Sequence, residues 1–114
     1  DRSFRDTLAR FNRLVGLDRL RVLHMNDSLK ALGSRVDRHT HIGAGTLGLE
    51  PFRRIMNHRR LARVPKILET PKDDDPLKSD RRNLEILRNL TAARTLKPAT
   101  AKRPVDTVKE GFTT

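Results

Sequence analysis

Leu20-Arg21-Val22-Leu23-His24-Met25 decides the fold. Six residues are too few for a helix of their own, and apolar side chains occupy both alternating faces. A strand covered on both sides, as in a parallel sheet, has this pattern. Val64 to Thr70 reads as a second short strand, stopped by Pro71. Around these two runs the spacing turns helical. Phe4, Leu8, Phe11, Leu14 and Val15 form one stripe, with Ser3 placed to cap it and Gly16 to stop it. Pro51 suits the first turn of a helix whose stripe is Leu49, Phe52, Ile55 and Met56. After the acidic turn Asp73-Asp74-Asp75-Pro76, a third helix over residues 80–91 turns Leu84, Leu87 and Leu90 inward. Residues 26–48, broken by Gly33, Gly43, Gly45 and Gly48, read as one long loop, a length that usually serves function. Residues 92–114 hold Thr, Lys, Ala and Pro with few large apolar side chains, and the expectation is a disordered basic tail.

The order is therefore helix, strand, helix, strand, helix, tail, with no internal repeat. A strand–crossover–strand unit implies a parallel pair in an α/β fold. Two strands do not make a self-sufficient parallel sheet, because both edges stay unpaired. The pattern is that of one piece of a larger barrel or open sheet. The start at Asp1 rather than Met reads the same way, as a processed or truncated product.

Composition narrows the function. The 114 residues could bury roughly 65% of their unfolded surface. With 35% apolar and 4% aromatic residues and a mean hydropathy of −0.67, that core is thin. No apolar run approaches the ~18 residues of a membrane helix, and no basic-then-apolar leader points to secretion. Without cysteine there is no disulfide framework and no thiolate nucleophile, so a metal would be held by His, Asp and Glu. The net charge is +11. Residues 28–66 carry nine basic side chains against Asp37 and Glu50, a local +7 that suits a polyanion, although a solvated basic surface reads alike.

Ionisable residues fall where such folds build active sites. His24 lies at the carboxyl end of the first strand, on the face of Val22 and Asn26, and Glu69 holds the matching place on the second, with Ile67. Each alone is an ordinary hydrogen-bonded or ion-paired residue; together they suggest a shared metal or catalytic site. In Gly33-Ser34-Arg35-Val36-Asp37-Arg38-His39, Asp37 and His39 sit on one side of an extended chain, about two strand rises apart. Imidazole and carboxylate together suit zinc, manganese or iron(II). The bland alternative pairs Asp37 with Arg35 or Arg38. His41 suits a supporting role at most, and His58 lies in a basic run. The segment Ile42-Gly43-Ala44-Gly45-Thr46-Leu47-Gly48 lacks the Gly-Lys-Ser/Thr end of a phosphate loop, and no Gly-x-Ser-x-Gly elbow is present.

Taken in order, His24-Met25-Asn26-Asp27-Ser28, Leu32-Gly33-Ser34-Arg35-x-Asp37-Arg38-His39, Ile42-Gly43-x-Gly45 and Ile67-Leu68-Glu69-Thr70-Pro71 resemble the end of the endonuclease IV family. The resemblance runs over about residues 5–91 and includes Asn-Leu-x-x-Leu-Arg-x-Leu at 83–90. It implies a zinc-dependent AP endonuclease on a TIM barrel. A full barrel takes ~250 residues, so residues 1–91 would be its C-terminal two strand–helix units, a partial barrel domain followed by the tail at 92–114. By resemblance the metal ligands are His24 and Glu69 for one zinc and Asp37 and His39 for a neighbour. Up to three zincs occupy the complete family site, whose other ligands and DNA-inserting residues lie upstream. Arg38, between two ligands, and Arg35 are the implied phosphate contacts.

The implied reaction is hydrolysis of the phosphodiester 5′ to an abasic site, leaving a 3′-hydroxyl, with zinc-activated water as nucleophile. The implied setting is DNA repair. The full-length protein would be a monomer without a membrane partner, cytoplasmic at the nucleoid in a bacterium or archaeon, nuclear in a eukaryote. The isolated chain is expected to be an inactive fragment. Two other readings fit parts of the sequence: a TIM-barrel sugar isomerase or epimerase, and a non-catalytic basic nucleic-acid-binding module. The +7 segment and the Asp-Arg-His loop argue against a neutral sugar.

Overall fold

A computed structural model of the chain describes residues 2–91. The expected tail at 92–114 lies outside the described residues. Helix α1 spans Arg2–Leu14, and Gly16, at φ 97°, ends it as expected. A 3-10 turn at Leu17–Arg19 leads into strand β1, Leu23–Met25. Strands β2 (Asp27–Ser28) and β3 (His39–Thr40) follow, then helix α2 (Glu50–Asn57) and a second 3-10 turn at Arg59–Leu61. Strand β4 (Lys66–Leu68) and helix α3 (Pro76–Thr91) complete the described chain.

The two principal strands pair in parallel, with Leu23 opposite Lys66, His24 opposite Ile67 and Met25 opposite Leu68. Bonds from Leu23 N–H to Pro65 O (2.9 Å) and from Glu69 N–H to Met25 O (3.3 Å) bracket the ladder. Both strands are shorter than their apolar runs, since among the described residues each pairs along one edge only. One face of the pair is covered. Met25, Ile42, Phe52, Leu87 and Leu90 are buried together, with Leu23, Ile55, Met56, Leu68 and Ile86 packed around them, so α2 and α3 form one layer over the sheet. Each such side chain contributes about 1.5–3 kcal/mol when fully buried.

Three expectations need correction. The strands are not covered on both faces: Val22 is 39% and Ile67 47% exposed, on the side of His24 and Glu69. Residues 26–48 are not all loop, because β2 and β3 form a short antiparallel pair with Asp27 opposite Thr40 and Ser28 opposite His39. Helix α3 begins at Pro76 rather than near Asp80. Asp75 Oδ1 accepts from Lys78 N–H (3.1 Å), so the acidic turn is the cap of the helix and Pro76 its first residue.

Candidate functional site

His24 is the middle residue of β1 and Glu69 lies one residue beyond β4, both on the uncovered face of the sheet. Parallel pairing of neighbouring strands brings them together: His24 Nδ1–H donates to Glu69 Oε2 at 2.5 Å. That hydrogen bond holds the Glu69 carboxyl below its ordinary pKa; the charges of His24 and His39 add to the effect, and partial desolvation opposes it.

His39 opens β3, and its two ring nitrogens face different partners. Nδ1–H donates to the backbone carbonyl of Glu69 (3.0 Å), while Nε2 stands 2.9 Å from Asp37 Oδ1. The four residues therefore form one string, Asp37–His39–Glu69–His24. Asp37 pairs with His39 rather than with Arg35 or Arg38. Arg35 and Arg38 are exposed and form no ion pair among the described residues. An open groove of about 630 Å³ lined by Lys30, Ser34, Arg35, Asp37 and Thr46 runs beside them, and Arg38 is not on its wall.

The donor set fits a borderline-soft cation on a specific ground. With Nδ1 donating to a carbonyl, the neutral His39 ring presents a lone pair at Nε2 toward the Asp37 carboxylate. Two acceptors at that separation need a positive charge between them, supplied by a proton or by a metal ion. Imidazole and carboxylate are zinc ligands. No group of three or more His, Asp or Glu side chains is placed to hold one metal ion among the described residues.

Other residues lie elsewhere. Arg59, Arg60 and Arg63 precede β4, at the end of the strand opposite Glu69, and Arg53 pairs with Glu50 (3.3 Å). Arg53, Arg59, Arg60 and Arg63 thus do not line this site. His58 caps the second 3-10 turn through Nδ1, which accepts from Arg60 N–H (3.3 Å), and packs edge-on against Phe4.

Two polar residues at the site's base have no counterpart among the expected ones. Asp27 is fully buried. Asn83, on α3, is 1% exposed; its carbonyl accepts from Ile42 N–H (2.9 Å), and its amide reaches Thr70 Oγ1 (3.2 Å), Ser79 O (3.0 Å) and His41 Nδ1 (2.9 Å). His41 Nε2–H then donates to Asp73 Oδ2 (2.8 Å), so His41 supports the segment after β3. The signal for Asn83 was available: it interrupts the inward stripe that continues as Leu87 and Leu90.

Comparison with known proteins identifies the fold to which these strands and helices belong. A family model described as a xylose isomerase-like TIM barrel matches residues 3–90. A probable endonuclease 4 of Geobacter sulfurreducens is 59% identical over 102 residues, which cover 90% of this chain and 34% of that protein. One of Trichlorobacter lovleyi is 62% identical over 88 residues, covering 77% and 31%. The crystal structure of endonuclease IV from Thermus thermophilus matches with a TM-score of 0.67 and 39% identity, over 77% of this chain and 31% of that one. The chain thus spans about a third of the length of these relatives.

Proposed function

The chain belongs to the xylose isomerase-like TIM-barrel family, and on that premise we propose that it carries part of the metal site of a DNA-repair endonuclease of the endonuclease IV type. The observation that supports this most directly is the string Asp37–His39–Glu69–His24, which links β1, the start of β3 and the end of β4. In this reading His24 and Glu69 hold one zinc and Asp37 and His39 another, with the remaining ligands supplied by the rest of the barrel. The chemistry zinc supplies when bound is Lewis-acid activation of water and neutralisation of phosphate charge, near a phosphodiester 5′ to an abasic site. The chain's own part is to hold those ligands. The Glu69 carbonyl fixes the His39 tautomer, and the His24 hydrogen bond holds the Glu69 carboxyl below its ordinary pKa. Arg35 and Arg38 offer guanidinium contacts to the DNA backbone.

No helix among the described residues is long and apolar enough to cross a membrane. In this reading the complete protein works on DNA as a monomer in the cytoplasm of a bacterium, the kind of organism its relatives come from. The test is a chimera in which residues 3–91 replace the matching segment of the Geobacter sulfurreducens relative. We expect chelator-sensitive incision of an abasic duplex, and a loss of at least about 100-fold in His39→Ala, within the range seen when a group central to transition-state charge is removed. Zinc content should fall with it. A folded, active chimera indifferent to His39→Ala would remove His39 from the ligand set. Turnover of a keto-sugar instead of DNA would favour the isomerase reading, and chelator-insensitive binding without cleavage the non-catalytic one.

A further inference from the structure

Asp27 is a buried carboxylate that the reading above does not use. Its oxygens accept four backbone N–H groups: Ser28 (2.8 Å), Gly45 (3.0 Å), Leu47 (2.9 Å) and Gly48 (3.2 Å). A carboxylate taken out of water needs such compensation, and it has no ion-pair partner among the described residues. Three of the four donors belong to residues 45–48, the segment that leaves β3. Thr46 closes the same wrap, its N–H donating to Ser28 O (2.8 Å) and its hydroxyl lying 3.2 Å from Ser28 O and from Lys30 O. The approach is too close for a side chain at Gly45: a Cβ there would stand 2.3 Å from Ser28 O and 2.5 Å from Asp27 Oδ1. The second glycine of Ile42-Gly43-x-Gly45 is thereby explained by backbone contact and not by a bound phosphate.

The clasp connects to the ligand pair through the β2–β3 ladder. Ser28, beside Asp27 on β2, is the ladder partner of His39 on β3. Strand β3 is therefore held along its length by β2 and at its exit by the chain tied back to Asp27. We propose that Asp27 is a positioning residue, whose clasp on residues 45–48 fixes His39 and Asp37 against His24 and Glu69. Its purpose rests on the metal-site reading above, but the clasp itself can be tested without metal.

The experiment compares the full 114-residue chain with Asp27→Asn and Gly45→Ala, using Ala44→Ser, at an exposed loop position, as control. Asparagine keeps the shape of Asp27 but turns an N–H₂ toward backbone donors. Amide exchange of Gly45, Leu47 and Gly48 should accelerate about tenfold or more, the scale of losing charge-assisted hydrogen bonds. The His39 ring resonances should shift and broaden. Exchange in β1, β4 and α3 should stay as in the unsubstituted chain. With zinc alone as the probe, His39 should respond at about tenfold higher metal in both variants than in the control. Should Asp27→Asn fail to fold, Gly45→Ala decides. Unchanged exchange and unchanged His39 resonances would overturn the proposal. So would uniform loss of protection through α3 in both variants, which would make Asp27 a residue of the fold alone. If zinc shifts no resonance in the unsubstituted chain, the isolated ligand pairs do not hold the metal and the chimera alone tests the metal reading, while the exchange and ring measurements still decide the role of Asp27.

Discussion

Glu69 joins the two halves of the site: its side chain accepts from His24 and its backbone carbonyl from His39. Its depressed pKa has a definite consequence. The carboxyl should titrate with a midpoint below 4.5 when followed by ¹³C NMR, and His24→Ala should move that midpoint back up, since the His24 hydrogen bond is the largest cause. The sign for stability follows from linkage. A carboxylate whose folded pKa is depressed stabilises the fold above its unfolded pKa, and that contribution disappears as pH falls through the folded value. The urea midpoint should therefore drop on acidification below about pH 4.5, and drop less in His24→Ala. An identical acid profile in both proteins would mean that the contact is absent in solution. At this scale the sequence was legible where chemistry resides in side chains: His24, Asp37, His39 and Glu69 stand out as ionisable groups at strand ends or at i, i+2 spacing. Asp27 was not legible, because its partners are backbone amides, three of them 18 to 21 residues along the chain, and a backbone amide leaves no mark in a sequence.

The elements were legible in kind and order but not at their edges. Apolar runs and stripes located β1, β4 and the three helices. Pro76 looked like part of a turn because a first-turn proline and a turn proline are the same residue; the cap contact of Asp75 with Lys78 N–H separates them. The β2–β3 pair, two residues on each side, carries no periodicity that a pattern could detect. Helix α3 matters to the site through Asn83, which ties it to Ile42 and Thr70. Asn83→Leu strands the buried Ile42 N–H and should cost about 1–3 kcal/mol. Leu87→Ala, in the core between sheet and helices, should cost about 2–5 kcal/mol. Urea unfolding followed by circular dichroism measures both. The two should differ locally as well: only Asn83→Leu should release the His41 ring, visible as a change in its resonances. Equal His41 spectra in the two variants would deny Asn83 that role.

At the scale of the whole molecule, the four metal-site candidates and the uncovered sheet face point the same way. Val22 and Ile67 are partly exposed on the face that bears His24 and Glu69, and neither β1 nor β4 has a second neighbour among the described residues. Open strand edges and exposed apolar side chains favour self-association, so the isolated chain should associate as its concentration rises. Val22→Thr with Ile67→Thr should reduce that association, as sedimentation would show. The same incompleteness limits chemistry. A catalytic zinc usually has three protein ligands, and here the candidates fall into two pairs, with no group of three placed to hold one ion among the described residues. Isolated, the chain should bind zinc weakly and fail to incise an abasic duplex under conditions where a full-length relative cleaves it completely. Incision should appear when the segment is placed within the remaining two-thirds of such a relative, because that step adds ligands and covers the open face together. Robust, chelator-sensitive incision by the 114 residues alone would show that copies of the chain complete one another's sites, and would replace the picture of a partial barrel with that of an assembling one.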